Sequence, residues 1–180
     1  MRIEPVSLSN VHPACLRSAF WEAGSAATDV AMTKELWLSN TLMTYGTCGF
    51  AIPDVATILF APPVLLPGVL EMPSGPVSPD ATVLSSLFGS RLTEGAHTVL
   101  IDACLTHLLA ADIPAVEAFG WRSGSTYGPI GLIPESALLA AGFWVVADHD
   151  EVPRLRIELP PVDGLLTAAE VSELLAVAVV

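Results

Sequence analysis

A mixed α+β fold is what this 180-residue chain predicts, and three observations predict it. Residues 76–120 read as strand, glycine-bearing loop, helix and strand, one parallel βαβ crossover that requires a sheet around it. The stretches 48–61 and 143–159 read as antiparallel hairpins. Ahead of them lie two patterns with apolar residues at helical spacing.

The elements follow in order. His12 to Ala23 suits one short helix with Cys15, Leu16, Ala19 and Phe20 on one face, ended by Gly24-Ser25. A second helix, roughly Met32 to Met43, aligns Leu36, Trp37, Asn40 and Met43, with Thr28 or Asp29 as its cap. Both precede any convincing strand. Cys48–Ile52 and Val55–Ala61 pair around a Pro53-Asp54 turn. The connection from Pro62 to Pro79 is rich in proline and glycine, and a connection that long often borders a binding site.

In the crossover, a strand from Ala81 to Phe88 leads through the turn-rich Gly89–Gly95 to a helix from Ala96 to Ala110 and a strand from Ile113 to Phe119. Leu100, Ile101, Cys104, Leu105 and Leu108 face inward; Thr98, Asp102 and Thr106 form the wet stripe. Trp121 to Gly131 is a Gly/Ser-rich loop, and Pro134–Ala141 a short helix stopped by Gly142. Phe143–Ala147 and Arg154–Leu159 close the sheet. In the second of these strands Leu155, Ile157 and Leu159 alternate with Arg154, Arg156 and Glu158, which predicts one solvated face. Thr167 and Glu170 form a capping box for a last helix, Ala168 to about Val177. Residues 1–180 are expected as a single domain, with 162–180 a C-terminal helical extension.

Composition narrows the function. The chain is 52% hydrophobic and 14% charged, where soluble domains carry about a quarter charged residues, so a homodimer that covers apolar surface is expected. The net charge is −12, with one lysine, Lys34, beside six arginines. Clustered cations for phosphate neutralisation are missing, which excludes nucleic acid as partner. An acidic field favours a cationic amine and also keeps an apolar protein soluble. The N-terminus has no signal-peptide pattern, and the apolar run Val55 to Met72 is broken by Pro62, Pro63 and Pro67, so no membrane span and a cytoplasmic location are expected. Cys15, Cys48 and Cys104 are an odd number at wide spacings, consistent with reduced thiols. Cys104 and His107 have the spacing of two metal ligands, but no second pair completes a set, so no metal is expected. The same cysteine with His97 or His107 as base carries little weight as a nucleophile. Of the four tryptophans, read as core or interface, Trp121 beside the Gly/Ser-rich loop is the candidate ligand contact.

The element order resembles the GCN5-related N-acetyltransferase (GNAT) family over roughly residues 12 to 160. Five short blocks resemble an uncharacterised actinobacterial branch of it: Phe20–Glu22, Leu59–Pro63, Pro76–Ala81, Glu117–Gly120, and Gly142-Phe143 followed by Pro153–Leu159. The resemblance implies a central mixed, mostly antiparallel sheet with helices on both faces and one parallel crossover. It also implies acetyl-CoA, as cosubstrate, in a V-shaped gap between the crossover strands, and a small-molecule or peptide amine as acceptor. The cofactor site then comprises the strand end Leu87, Phe88 and Gly89 with Arg91, Leu92, Thr93, Glu94, Gly95, Ala96 and His97, where glycine and the helix dipole favour a pyrophosphate.

That loop departs from the family pattern Gln/Arg-x-x-Gly-x-Gly/Ala. Counting back from Val99 puts Leu92 to His97 on its six positions, and only Gly95 matches, while Glu94 brings a carboxylate toward the phosphates. Family members often carry a tyrosine four residues before Gly-Phe as general acid; Leu138 stands there, leaving Tyr127 as the nearby phenol. Glu117 and Glu71 are the candidate bases, though for Glu117 the structural reading, an ion pair with an arginine, ranks above the catalytic one. Two functions therefore stand: an N-acetyltransferase working by direct attack, or a catalytically degenerate binding module that keeps the fold and no longer binds acetyl-CoA well.

Overall fold

Among the described residues eight strands form one sheet in the order β1-β2-β3-β4-β5-β8-β7, with the two-residue β6 added beside β5. The computed structural model describes residues 2–89 and 94–177. The strands are β1 (Glu4–Pro5), β2 (Gly49–Ile52), β3 (Ala56–Ala61), β4 (Ala81–Gly89), β5 (Ala115–Trp121), β6 (Ile133–Pro134), β7 (Trp144–Ala147) and β8 (Arg154–Glu158). The pairings are antiparallel except β4 with β5 and β5 with β6. The helices are α1 (Pro13–Leu16), α2 (Phe20–Ala23), α3 (Val30–Tyr45), α4 (Glu94–Ala110), α5 (Glu135–Ala140) and α6 (Ala168–Val177).

Helices cover both faces. On one, Val99, Leu100 and Cys104 of α4 and Leu138 of α5 pack against Ile58, Leu84, Val116 and Leu155 of the sheet, and Leu175 of α6 joins them. The five inward residues expected of the crossover helix are all buried. On the other face Cys15 and Leu38 meet Ala51, Leu59 and Phe88, while Trp21 stacks on Phe119 with ring centroids 5.8 Å apart. Each large apolar side chain so buried stabilises the fold by about 1.5–3 kcal/mol.

Several boundaries differ from the sequence reading. The expected helix 12–23 is two single turns, because Trp21 turns inward onto the sheet and tertiary burial outweighs helical periodicity. A strand does precede the helices: β1 pairs Glu4 with Ala51 and Pro5 with Phe50 at an outer edge, where proline is tolerated and two residues leave no periodicity to read. The long α3 begins where Asp29 accepts the Met32 N–H at 3.1 Å. The connection after β3 is two 3₁₀ turns, Pro63–Leu65 and Pro67–Glu71. The capping box is present, with the Thr167 N–H 2.7 Å from Glu170. Among the described residues no helix is long and apolar enough to cross a membrane.

Candidate functional site

The crossover strands stay together for four residue pairs only. Ala81 to Leu84 of β4 lie beside Ala115 to Ala118 of β5, and then the two part. β4 continues to Gly89 on the edge of β3, and β5 continues to Trp121 with β8 on its other side through Phe119. The backbone groups facing the gap need partners, since buried amides are almost always hydrogen-bonded.

The chain supplies them itself. The segment from Gly128 to Pro134 enters the gap: Ile133 and Pro134 run beside Gly120 and Trp121, and the Leu87 N–H donates to the Gly131 carbonyl at 2.7 Å. Trp21 Nε1–H donates to the Ile130 carbonyl at 2.8 Å. Gly131 has φ +76°, and a Cβ there would meet the Phe88 ring at 2.6 Å, so glycine is needed for the approach. Outside this strap an opening of about 320 Å³ is lined by Ala14, Leu87, Phe88, Gly89, Trp121 and strap residues. Trp121 is 46% exposed there, its indole donating to the Gly124 carbonyl at 3.0 Å.

Of the expected cofactor residues, Leu87 and Phe88 are buried in β4, with Gly89 at its end on the lining of this opening. Gly95, Ala96 and His97 lie in the first turn of α4, with Ala96 buried. Arg91, Leu92 and Thr93 lie outside the described residues, and for Glu94 the backbone alone is described, as the first residue of α4.

Glu117 is wholly buried beside Val83, the next-to-last pair before the strands part. Its carboxylate accepts from Arg154, from Arg156 at 3.2 Å and from the Ser78 N–H at 3.2 Å. Arg156 in turn clamps Asp80 with bonds of 3.0 and 2.9 Å. The arginines expected on a solvated face thus reach across to a buried acid. Burial pushes the Glu117 pKa up, but the bonds from Ser78 and Arg154 outweigh it and hold the carboxyl below its ordinary range. A base so ionised and so surrounded by donors is weak, and the geometry is that of a structural ion pair. Three of the five sequence blocks, at 76–81, 117–120 and 153–159, converge in this network.

Tyr127 is half-buried against the cluster of Trp21, Phe119 and Ile130, at the approach to the strap. Glu71 is tied to the Ser25 N–H at 2.8 Å. Among the described residues no group of three His, Cys, Asp or Glu is placed to hold a metal. The strap itself was not foreseen; its signal was the run Gly128-Pro-Ile-Gly-Leu-Ile-Pro134, which sets Ile130, Leu132 and Ile133 inside a glycine-rich loop.

No family model matches the chain, and no curated protein matches it. Among solved structures it is similar to a putative acetyltransferase of the GNAT family from Desulfovibrio desulfuricans, at 14% identity and a TM-score of 0.51 over 87% of this chain and 98% of that one. The fold is therefore the GNAT fold, with its mixed sheet and its diverging parallel pair.

Proposed function

We propose that this chain is an N-acetyltransferase that moves the acetyl group of acetyl-CoA to an amine by direct attack. The observation that carries the reading is the parallel pair β4/β5, which parts after four residue pairs while α4 opens at Glu94, directly beyond the end of β4. In this reading acetyl-CoA lies in the gap with its pyrophosphate toward the start of α4, where the helix dipole favours anions. Of the six residues Leu92 to His97 set against the family pattern, Gly95 alone matches, and Glu94 brings a carboxylate beside it.

The amine nitrogen attacks the thioester carbonyl, the tetrahedral intermediate expels the CoA thiolate, and the amine proton passes to water. Glu117 serves by fixing where the strands part, and Tyr127 is the candidate proton donor to the thiolate. A cationic small-molecule or peptide amine suits a chain of net charge −12. Isothermal titration with acetyl-CoA tests the reading, with thiol detection of CoA release in the presence of amines; no binding at millimolar cofactor defeats it.

One observation favours a second reading, the degenerate module. The strap takes the Leu87 N–H and fills the gap, as a protein that has given up its cofactor would do. Release of CoA with any amine excludes this reading.

A further inference from the structure

We propose that the segment Gly128–Pro134 is a displaceable autoinhibitory strap: it occupies the β4/β5 gap, and acetyl-CoA must expel it to bind. The inference rests on the acetyltransferase reading and adds regulation of that site. Each side of the strap imitates a strand. Toward β5 it adds the pairs Gly120–Ile133 and Trp121–Pro134, and toward β4 it places the Gly131 carbonyl on the Leu87 N–H. A ligand in the gap competes for the same backbone donor.

Among the described residues, the polar contacts of the strap with β4 and α2 are the Leu87–Gly131 backbone bond and the indole bond from Trp21 to Ile130. Ile130 and Ile133 are buried in separate apolar clusters and Leu132 packs partly buried beside Ile130, whereas Gly128 and Pro129 are exposed, so expelling the strap must offset the loss of this burial. Gly124, Gly128 and Gly131 all take positive φ, so the backbone can change course at three places without side-chain strain. The arm leading to the strap is tied to the turn at Asp150 and Glu151 by the Arg122 N–H at 2.9 Å, the Ser123 hydroxyl at 3.1 Å and the Thr126 hydroxyl at 2.9 Å, all exposed contacts. The opening outside the strap gives an incoming ligand a first foothold beside Leu87 and Trp121.

When the binding-competent form is a small fraction of the population, apparent affinity falls by that fraction. Two variants raise the fraction by different routes. Trp21→Phe keeps the ring on Phe119 and removes the N–H donor to Ile130; Gly131→Ala drives a methyl into the Phe88 ring. The experiment measures acetyl-CoA binding by isothermal titration in the full-length chain and both variants, with amide exchange at Leu87 as an independent report on the strap. Exchange at Leu87 that quickens in both variants, with acetyl-CoA binding about tenfold tighter than in the unaltered chain, is the expected result. Equal affinity in all three proteins, with Leu87 exchange faster in the variants, overturns the strap and leaves the cofactor reading standing. Faster exchange with no acetyl-CoA bound by any of the three overturns both. Stopped-flow binding to the unaltered chain needs no variant: the observed rate is expected to level off at the strap-opening rate as acetyl-CoA rises, and a rate linear to the highest concentration overturns the strap.

Discussion

At Glu117 a carboxylate is surrounded by two guanidinium groups and a backbone amide at the last stretch where β4 and β5 are still paired. Removing its charge leaves Arg154 and Arg156 facing each other across a buried site, so Glu117→Gln is expected to cost about 3 kcal/mol in urea unfolding. An unchanged midpoint would show that the network contributes nothing. The pH dependence follows from the depressed pKa: protons bind less readily in the folded chain than in the unfolded one, whose ordinary value is 4.5. The stabilisation is therefore complete above pH 4.5 and is lost as pH falls through the depressed value. The thiols behave in the opposite sense. Burial pushes Cys15 up to about 11 and Cys48 up to about 12, and Cys104 lies well above its ordinary 9.0. Thiolate is the reactive form, so all three are expected to resist a disulfide reagent at pH 8 until urea unfolds the chain. Rapid labelling of the native protein would contradict that burial.

At the scale of elements, the C-terminal extension forms part of the fold rather than a tail. The Leu166 N–H donates to Asp102 on α4 at 2.8 Å, and a methyl on Gly95 would lie 3.3 Å from the Leu174 carbonyl, so α6 lies close along α4. Burial raises the Asp102 pKa despite that amide, so the residue placed on the wet stripe of α4 is in fact partly covered. Thr167→Ala removes one half of the capping box and is expected to lower stability by about 1 kcal/mol, with amide exchange quickening in α6 before the rest of the chain. Loss confined to the global transition would mean that α6 and the sheet unfold as one unit. Elements with their own local chemistry were legible in the sequence: the Asp29 cap, the Thr167–Glu170 box, the inward stripe of α4 and the alternation of β8. Elements whose shape comes from distant partners were not. Two residues of β1 become a strand because β2 lies beside them, and the loop after β5 becomes a strap because Leu87 has an amide to satisfy. The same limit applied to the site: Glu117 could be read as base or ion pair until Ser78, Arg154 and Arg156 converged on it.

For the whole molecule, charge and apolar surface pull against each other. Acidic residues number 19 against seven basic ones, and Lys34, Arg122, Arg154 and Arg156 are already engaged in ion pairs. The unpaired acid is left to solvate a surface on which Met32, Met43, Val64, Leu70 and Trp144 stand exposed. Self-repulsion at neutral pH keeps such chains apart, and it vanishes near the isoelectric point of about 4.4. Turbidity against pH is expected to stay flat from pH 8 to 6 and to rise steeply near pH 4.4, where net charge no longer opposes contact between apolar patches. A second cause enters as pH falls further, because the Glu117 network weakens as pH drops below 4.5 toward its depressed value. Reversal separates them: if turbidity clears on return to pH 8 with circular dichroism unchanged, loss of charge is the cause. If the solution clears but near-ultraviolet dichroism does not recover, failure of the buried ion pair leads. A solution that stays clear throughout would mean that the exposed apolar side chains are already covered at neutral pH.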